Sequence, residues 1–281
     1  MRTLTPWIAL AVALLSGLAG GLFTRRRHRA DATFSLATAL RRAPALWLLG
    51  GIPPALLLGH FALQAAPGLW WSLPPLVERH YLLGVWSLLM AASGGLFGAV
   101  VGLAFAERHA ERWKAVVASA LTLAALEVPA YRNSRPVAPT LSERTGDDGV
   151  VLQTSEVTCA AASAANLLRL AGRPATERSV AEAFDITTFG STTADITMGF
   201  ASMGIPCERV EVSLDALRFP AMLFVDVGEA GAENHAVVAV RREAERVEIW
   251  DPLDGRRWRT AADLDRIWRG RALLCEIAAR P

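Results

Sequence analysis

The feature that most constrains this chain is a break in hydropathy near residue 131. Long uncharged apolar runs dominate the first 130 residues, whereas the remainder mixes charged, polar and apolar side chains as globular domains do. Residues 82–106 form the longest run, 25 residues without a charge, and about 20 apolar residues are enough to span a bilayer. The sequence therefore predicts an all-α transmembrane domain over residues 1–131 and a globular domain after it.

Four apolar runs in the membrane part have the length of transmembrane helices. The predicted spans are residues 7–23, 45–63, 82–106 and 115–130. Pro53 and Pro54 interrupt the second span, so we expect a kink there, because proline removes a backbone hydrogen bond and clashes with the preceding turn. Residues 82–106 are rich in glycine, which favours close packing on a neighbouring helix.

Arginine placement predicts the orientation of the membrane domain, because loops rich in Lys and Arg stay in the cytoplasm. The loops 24–43 and 107–114 are rich in these residues, whereas the loop 64–81 contains only Arg79. A four-span protein of the bacterial inner membrane with this distribution has its C-terminal domain in the periplasm or at the cell exterior. The prediction depends on residues 115–130. If this segment lies along the membrane surface, the domain is cytoplasmic.

Residues 132–142 contain two prolines, lack hydrophobic periodicity and are predicted to be a linker before a globular domain over residues 143–281. In that domain helical patterns come first and apolar or alternating runs follow. This order predicts an α+β fold with helices packed on a mostly antiparallel sheet. The predicted helices cover residues 158–171, 176–184, 193–203 and 260–268, with Thr158, Thr176, Thr193 and Thr260 as N-caps. The predicted strands cover residues 206–212, 221–227, 235–240, 246–250 and 272–277.

One cysteine and one histidine of the globular domain have the setting of a nucleophile and a base. Cys159 is predicted to be the first residue of a helix, a position that favours a thiolate. His235 is the only histidine after residue 140 and opens the apolar run HAVVAV. A histidine in such a site accepts the proton of the thiol and returns it to the leaving amine. If the globular domain contains a histidine base, it is His235.

Two further side chains complete the candidate site. Asp251 ends the next apolar run, and a hairpin would place it beside His235, where a carboxylate orients the imidazole. Gln153 lies six residues before Cys159, and its amide can stabilise an oxyanion together with the Cys159 N–H. Each residue alone has a plainer interpretation: a small buried thiol, a hydrogen-bonded strand histidine and a carboxylate in a turn. The hypothesis depends on the combination.

The order and spacing of these residues resemble the C39 peptidase family, a papain-like domain that cuts leader peptides at double-glycine sites. The chain contains QTSEVTC, NHAVVAV and IWDP, with 76 residues from Cys159 to His235 and 16 from His235 to Asp251. The resemblance covers roughly the last 130 residues. It implies that Cys159 is the nucleophile, His235 the base, Asp251 the orienting acid and Gln153 the oxyanion donor. The chain departs from the family pattern at Ala160, where the family usually has glycine.

The resemblance implies a membrane-anchored cysteine peptidase that hydrolyses a peptide bond through a thioester, in leader or precursor processing linked to export. The expected partners are a peptide or protein substrate, the lipid bilayer and a separate transporter. Two alternatives stay open: an inactive C39-like module that binds export substrates, and a Cys-dependent transpeptidase or amidase that acts on envelope material. A structural or sensory membrane protein with an inert Cys159 is a third.

Composition gives no support for other kinds of ligand. Lys114 is the only lysine and lies outside any glycine-rich loop, so the chain has no Walker A nucleotide site. A net charge of +2 gives no reason to expect nucleic acid, and no cluster of ligand residues predicts a metal or another cofactor. Cys207 and Cys275 remain, and the sequence leaves open whether they form a disulfide or stay separate buried thiols.

Overall fold

A computed structural model of the chain describes residues 71–78, 135–227 and 234–277, together with isolated positions at 15, 18, 21, 22, 25, 26, 94, 95, 98, 101 and 117. The chain divides into two compact units, Met1–Ser134 and Arg135–Pro281. The four predicted spans lie almost entirely outside the described residues, so the transmembrane domain stays a prediction. Among the residues that are described, no helix is both long enough and apolar enough to cross a membrane.

The second unit contains four α-helices and eight strands among its described residues. The helices are α1 (Cys159–Leu170), α2 (Glu177–Ala183), α3 (Thr193–Ser202) and α4 (Ala261–Ile267). The strands are β1 (Arg144–Thr145), β2 (Val151–Leu152), β3 (Cys207–Glu211), β4 (Ala221–Val225), β5 (His235–Glu243), β6 (Arg246–Asp251), β7 (Gly255–Thr260) and β8 (Trp268–Cys275). Two 3₁₀ helices, Ala138–Thr140 and Leu214–Ala216, precede β1 and β4.

Six of the strands form one sheet in the order β3-β8-β4-β5-β6-β7. Every neighbouring pair in it is antiparallel, and β1 pairs with β2 as a separate antiparallel ladder. Strands β4 to β7 follow one another in sequence and in space, and β8 returns between β3 and β4. This architecture confirms a mixed helix-and-sheet fold with antiparallel pairing.

Helices α1 and α4 pack on this sheet, and α3 contacts its edge strand β3. The sheet residues Leu223, Ala239 and Ile249 belong to one buried apolar cluster with Leu264 of α4. Helix α1 packs against β5, with further contacts to β4 and β6. Its buried side chains are mainly alanine, and such small side chains let the helix backbone lie close to the strands. The start of α1 is thereby held near the start of β5.

Helices α2 and α3 are joined by aromatic packing. Phe184 directly follows α2, and its ring centroid lies 5.0 Å from that of Phe200 on α3, in an edge-on arrangement. Gly199 permits this approach, because a Cβ at that position would lie 2.2 Å from a Phe184 ring atom. Since α2 also packs against α1, its first residue, Glu177, has a fixed position relative to the start of α1.

The structure contains two short strands, β1 and β2, that the sequence does not predict, and three further elements differ clearly from their prediction. The N-cap of helix α3 is Thr192 rather than the predicted Thr193, and the Thr192 hydroxyl accepts a hydrogen bond from the Asp195 N–H at 3.2 Å. Strand β7 is absent from the prediction, because its sequence, GRRWRT, is too polar to suggest a strand. Strand β8 begins at Trp268, four residues before the predicted start at 272.

Part of the predicted linker is packed. Val137 and Leu141 are each 2% exposed, and the Val137 N–H donates to the Ile186 carbonyl at 3.0 Å. The short 3₁₀ helix at Ala138–Thr140 lies between them. Residues 137–141 are therefore part of the folded C-terminal unit, whose boundary at Arg135 falls inside the predicted linker.

Candidate active site

The candidate nucleophile is the first residue of α1. Cys159 is half-buried and is the one free cysteine, because the other two cysteines are bonded to each other. Thr158 occupies the N-cap position, as predicted, but its side chain makes no capping hydrogen bond to the helix. It bonds instead to the Ser155 carbonyl at 2.9 Å and to the Glu177 carboxylate. The first N–H groups of α1 are consequently without a side-chain cap.

The candidate base and its orienting acid meet across the β5–β6 pair. His235 is the first residue of β5 and Asp251 the last of β6. Both are 5% exposed, and the His235 Nε2 lies 2.8 Å from the Asp251 Oδ1. The Leu253 N–H donates to the same carboxylate oxygen at 2.9 Å, which fixes the carboxylate in turn. The antiparallel hairpin expected from the sequence thus brings the two side chains together.

The electrostatics of the three side chains favour a charged histidine. Burial acts to lower the pKa of His235, but the hydrogen bonds and charges of Asp251 and Cys159 outweigh it and raise the pKa from 6.5 to about 9. Burial acts to raise the pKa of Asp251, but the hydrogen bonds from His235 and from the Leu253 N–H hold it below its ordinary value. His235 therefore carries a proton at neutral pH. With Nε2 on Asp251, the other ring nitrogen, Nδ1, is the one that faces Cys159.

Gln153 lies in the segment between β2 and α1 and is half-buried. Its backbone N–H donates to the Pro252 carbonyl at 2.8 Å, beside Asp251. Its side-chain Nε2 donates to the Ser155 carbonyl at 3.0 Å, and its Oε1 is buried without a partner. An amide nitrogen has two hydrogens, so one donor remains for an oxyanion. The structure brings Cys159, His235 and Asp251 together and leaves Gln153 on the adjoining segment.

Two buried polar residues of α1 attach the helix to its neighbours. The Ser163 hydroxyl donates to the Ala236 carbonyl at 2.8 Å, one helical turn after Cys159 and one residue after His235. The Asn166 side chain accepts from the Val151 N–H at 2.7 Å and donates to the Val151 carbonyl at 3.0 Å. These contacts fix the position of α1 along β5 and β2. The signal for them in the sequence is two polar residues, four and seven positions after Cys159, within a run of Ala and Leu.

The remaining cysteines form a disulfide at the far edge of the sheet from β7. Cys207 of β3 and Cys275 of β8 are directly opposite each other in the antiparallel register and are bonded. Their Cα atoms are 4.1 Å apart, and 68 residues separate them in sequence. Of the two alternatives that the sequence leaves open, the structure has the disulfide.

Residues 147–280 match the model of the Peptidase C39 family. The C-terminal unit is similar to a double-glycine motif protease from an AMS/PCAT transporter, solved in complex with the leader peptide (21% identity, TM-score 0.40, 45% of this chain and 89% of that chain). It is also similar to the peptidase domain of Streptococcus ComA, a bi-functional ABC transporter involved in a quorum-sensing pathway (17% identity, TM-score 0.41, 44% and 94%). An uncharacterised protein of Methanothermobacter thermautotrophicus is 28% identical over 136 residues, which is 48% of this chain and 94% of that protein.

Proposed function

We propose that this protein, whose residues 147–280 belong to the peptidase C39 family, hydrolyses a peptide bond by a Cys-His-Asp mechanism. The observation that carries the proposal is His235, which is hydrogen-bonded through Nε2 to Asp251 at 2.8 Å and whose pKa is raised by Asp251 and Cys159 together. This is the arrangement that a thiol nucleophile needs, because the imidazolium stabilises the thiolate and the carboxylate fixes the ring.

The geometry supports the following sequence of proton transfers. The Cys159 sulfur attacks the carbonyl carbon, and the carbonyl oxygen becomes an oxyanion that accepts hydrogen bonds from the Cys159 N–H and the Gln153 amide. His235 gives its Nδ1 proton to the leaving amine, and a thioester remains on Cys159. Water then attacks the thioester while His235 takes a proton from it, and collapse of the second oxyanion releases the carboxylic acid and the thiolate.

We further propose a peptide leader or precursor as substrate, with processing linked to export. The support is the family match over the C-terminal unit. Any transporter partner would supply its own nucleotide site, because Lys114, the only lysine of the chain, is not part of a Walker A loop. Release of the acyl group to water rather than to an amine is what separates this function from a transpeptidase with the same nucleophile.

We also propose that the C-terminal unit faces the periplasm or the cell exterior. The Cys207–Cys275 disulfide supports this location, because structural disulfides persist in oxidising compartments and are rare in the cytoplasm. The arginine distribution around the predicted spans independently favours the same side of the membrane.

The decisive experiment is the pH profile of Cys159 alkylation by iodoacetamide in the full chain without reductant. The disulfide leaves Cys159 as the one free thiol, so no other cysteine needs to be replaced. We expect labelling at pH 6 about tenfold faster than that of free cysteine, and loss of this excess in His235→Ala. His28→Ala, in the predicted loop 24–43, is the control and should keep the wild-type rate. Labelling at the rate of free cysteine at every pH, unchanged by His235→Ala, would contradict the proposal.

A further inference from the structure

Glu177 is a buried carboxylate that the mechanism above does not use. It is the first residue of α2 and has no exposed surface. Its Oε1 accepts the Thr154 N–H at 2.9 Å and also contacts the Thr158 hydroxyl, and its Oε2 accepts the Thr154 hydroxyl at 2.7 Å. A buried carboxylate is costly unless it accepts hydrogen bonds, and all three of these bonds come from one short segment.

That segment is residues 153–159, which we call the oxyanion loop because Gln153 and Cys159 are its two ends. Glu177 holds the loop at its second and sixth residues. Within the loop, the Ser155 carbonyl accepts from the Gln153 amide at 3.0 Å and from the Thr158 hydroxyl at 2.9 Å. The conformation that presents Gln153 and the Cys159 N–H is therefore coupled to the position of the Glu177 carboxylate.

The second contact of Glu177 is with Thr158, the residue at the N-cap position of α1. A threonine at an N-cap normally accepts a hydrogen bond from the second or third N–H of its helix, as Thr176 and Thr192 do in α2 and α3. Thr158 makes no such bond, and its φ and ψ of −114° and 15° lie outside the extended region that Thr176 and Thr192 adopt. The start of α1 thus keeps its N–H groups for a negatively charged atom of the reaction.

We propose that Glu177 is a positioning residue that shapes the oxyanion loop through its hydrogen bonds to Thr154 and its contact with Thr158. The inference rests on the proposed function, since its consequence is an oxyanion site that is open before substrate binds. Two properties of the site then depend on different elements. The pairing of Cys159 with His235 depends on β5 and α1, whereas stabilisation of the oxyanion depends on the oxyanion loop and hence on Glu177.

Two chemical probes distinguish these properties in the full chain. Iodoacetamide alkylates the thiolate without forming an oxyanion. In acetyl-glycyl-glycinal, the Cys159 sulfur adds to the aldehyde carbon, and the carbonyl oxygen takes up the negative charge and then a proton, so a hemithioacetal forms with no oxidation or reduction. We expect Glu177→Ala to lower the affinity for the aldehyde about tenfold or more. The alkylation rate should stay within about twofold, because the thiolate pair is intact.

Two variants complete the test. Glu182→Ala removes an exposed carboxylate from the same helix and should leave both probes unchanged. Glu177→Gln retains an acceptor oxygen and should recover part of the aldehyde affinity. Aldehyde affinity unchanged in Glu177→Ala, or alkylation and aldehyde binding that fall together with thermal stability, would overturn the proposal.

Hydrogen–deuterium exchange over residues 151–162 gives a readout that does not depend on activity. The Thr154 N–H donates to Glu177, so its exchange should accelerate in Glu177→Ala and not in Glu182→Ala. Unchanged exchange at Thr154 would show that Glu177 does not order the loop. If the wild-type chain forms no aldehyde adduct, the proposed function fails, and the exchange at Thr154 still decides the role of Glu177 in the loop.

Discussion

His235 is held between two groups that both favour its protonated form. Asp251 bonds to Nε2 of the ring, and Asp251 and Cys159 together raise the pKa of His235 to about 9 against the opposing effect of burial. A group whose pKa is higher in the folded than in the unfolded state stabilises the fold at low pH. This contribution is complete below about pH 6.5, the ordinary pKa of histidine, and is lost as the pH rises through about 9.

This linkage predicts the effect of Asp251→Asn. The amide keeps the shape of the side chain but removes its charge, so the pKa of His235 should fall toward its ordinary value. We expect the thermal midpoint of the wild-type chain to decrease between pH 6.5 and pH 9, and the profile of Asp251→Asn to be flatter over the same interval. Asp254→Asn, in the same turn but about half exposed, should follow the wild type. Parallel profiles for wild type and Asp251→Asn would show that this proton is not linked to folding.

For single residues of the candidate site, the sequence gives both its best prediction and its clearest omission. Cys159, His235 and Asp251 were predicted together because each lies at the end of an element that local pattern predicts, and because strands joined by a short turn pair with each other. Glu177 was missed. A glutamate in the first turn of a helix is common, since it interacts favourably with the helix dipole. Its burial arises from packing against the oxyanion loop, which is 19 residues away in sequence.

Among the elements, β3 and β8 depend on each other for their position. Strand β3 is an edge strand bonded only to β8 within its sheet, and the Cys207–Cys275 disulfide joins the two. A disulfide stabilises a fold chiefly by restricting the unfolded chain, and more for a longer loop. With 68 residues between the cysteines, the disulfide should contribute substantially to stability without touching the candidate active site.

Replacement of both cysteines by serine tests this expectation. We expect Cys207→Ser with Cys275→Ser to lower the free energy of unfolding by about 2–4 kcal/mol, measured by urea denaturation without reductant. The alkylation rate of Cys159 under native conditions should be unchanged. Reduction of the wild-type disulfide should reproduce the loss of stability, and it serves as the matched control. A variant as stable as the wild type, or one with an altered alkylation rate, would contradict the separation of the disulfide from the site.

The elements that the sequence missed share a physical cause. Strand β7 exposes Arg256 and Arg257, and the ring centroid of its tryptophan, Trp258, lies 5.4 Å from the Arg241 guanidinium. Such a strand is stabilised by pairing with β6 and by side chains across the sheet rather than by an apolar run. The pairing of Cys207 with Cys275 has the same origin, because the register of β3 against β8 has no local signal. The local sequence pattern predicts single helices and apolar strands. The register between strands and the presence of a polar edge strand are determined by tertiary contacts.

At the scale of the whole molecule, the sequence predicts one part that lies in the lipid bilayer and one part that is surrounded by water. The change in composition near residue 131 lies close to the boundary between the two compact units at Ser134 and Arg135. The described residues of the C-terminal unit contain the complete candidate site. What the predicted membrane part adds is location, since a four-span anchor with this arginine distribution would hold the proposed peptidase at the outer surface of the inner membrane.

Sidedness is testable through Cys159, because it is the one free thiol. If the C-terminal unit lies outside the cytoplasm, a membrane-impermeant maleimide should label Cys159 in intact spheroplasts to the same extent as after lysis. The disulfide should be present in the same cells, because an oxidising compartment maintains it. The control is His28→Cys in a Cys159→Ala background, which places the free thiol in the arginine-rich loop 24–43 and should be labelled only after lysis. Labelling of Cys159 that requires lysis would reverse the orientation and indicate that residues 115–130 do not cross the membrane.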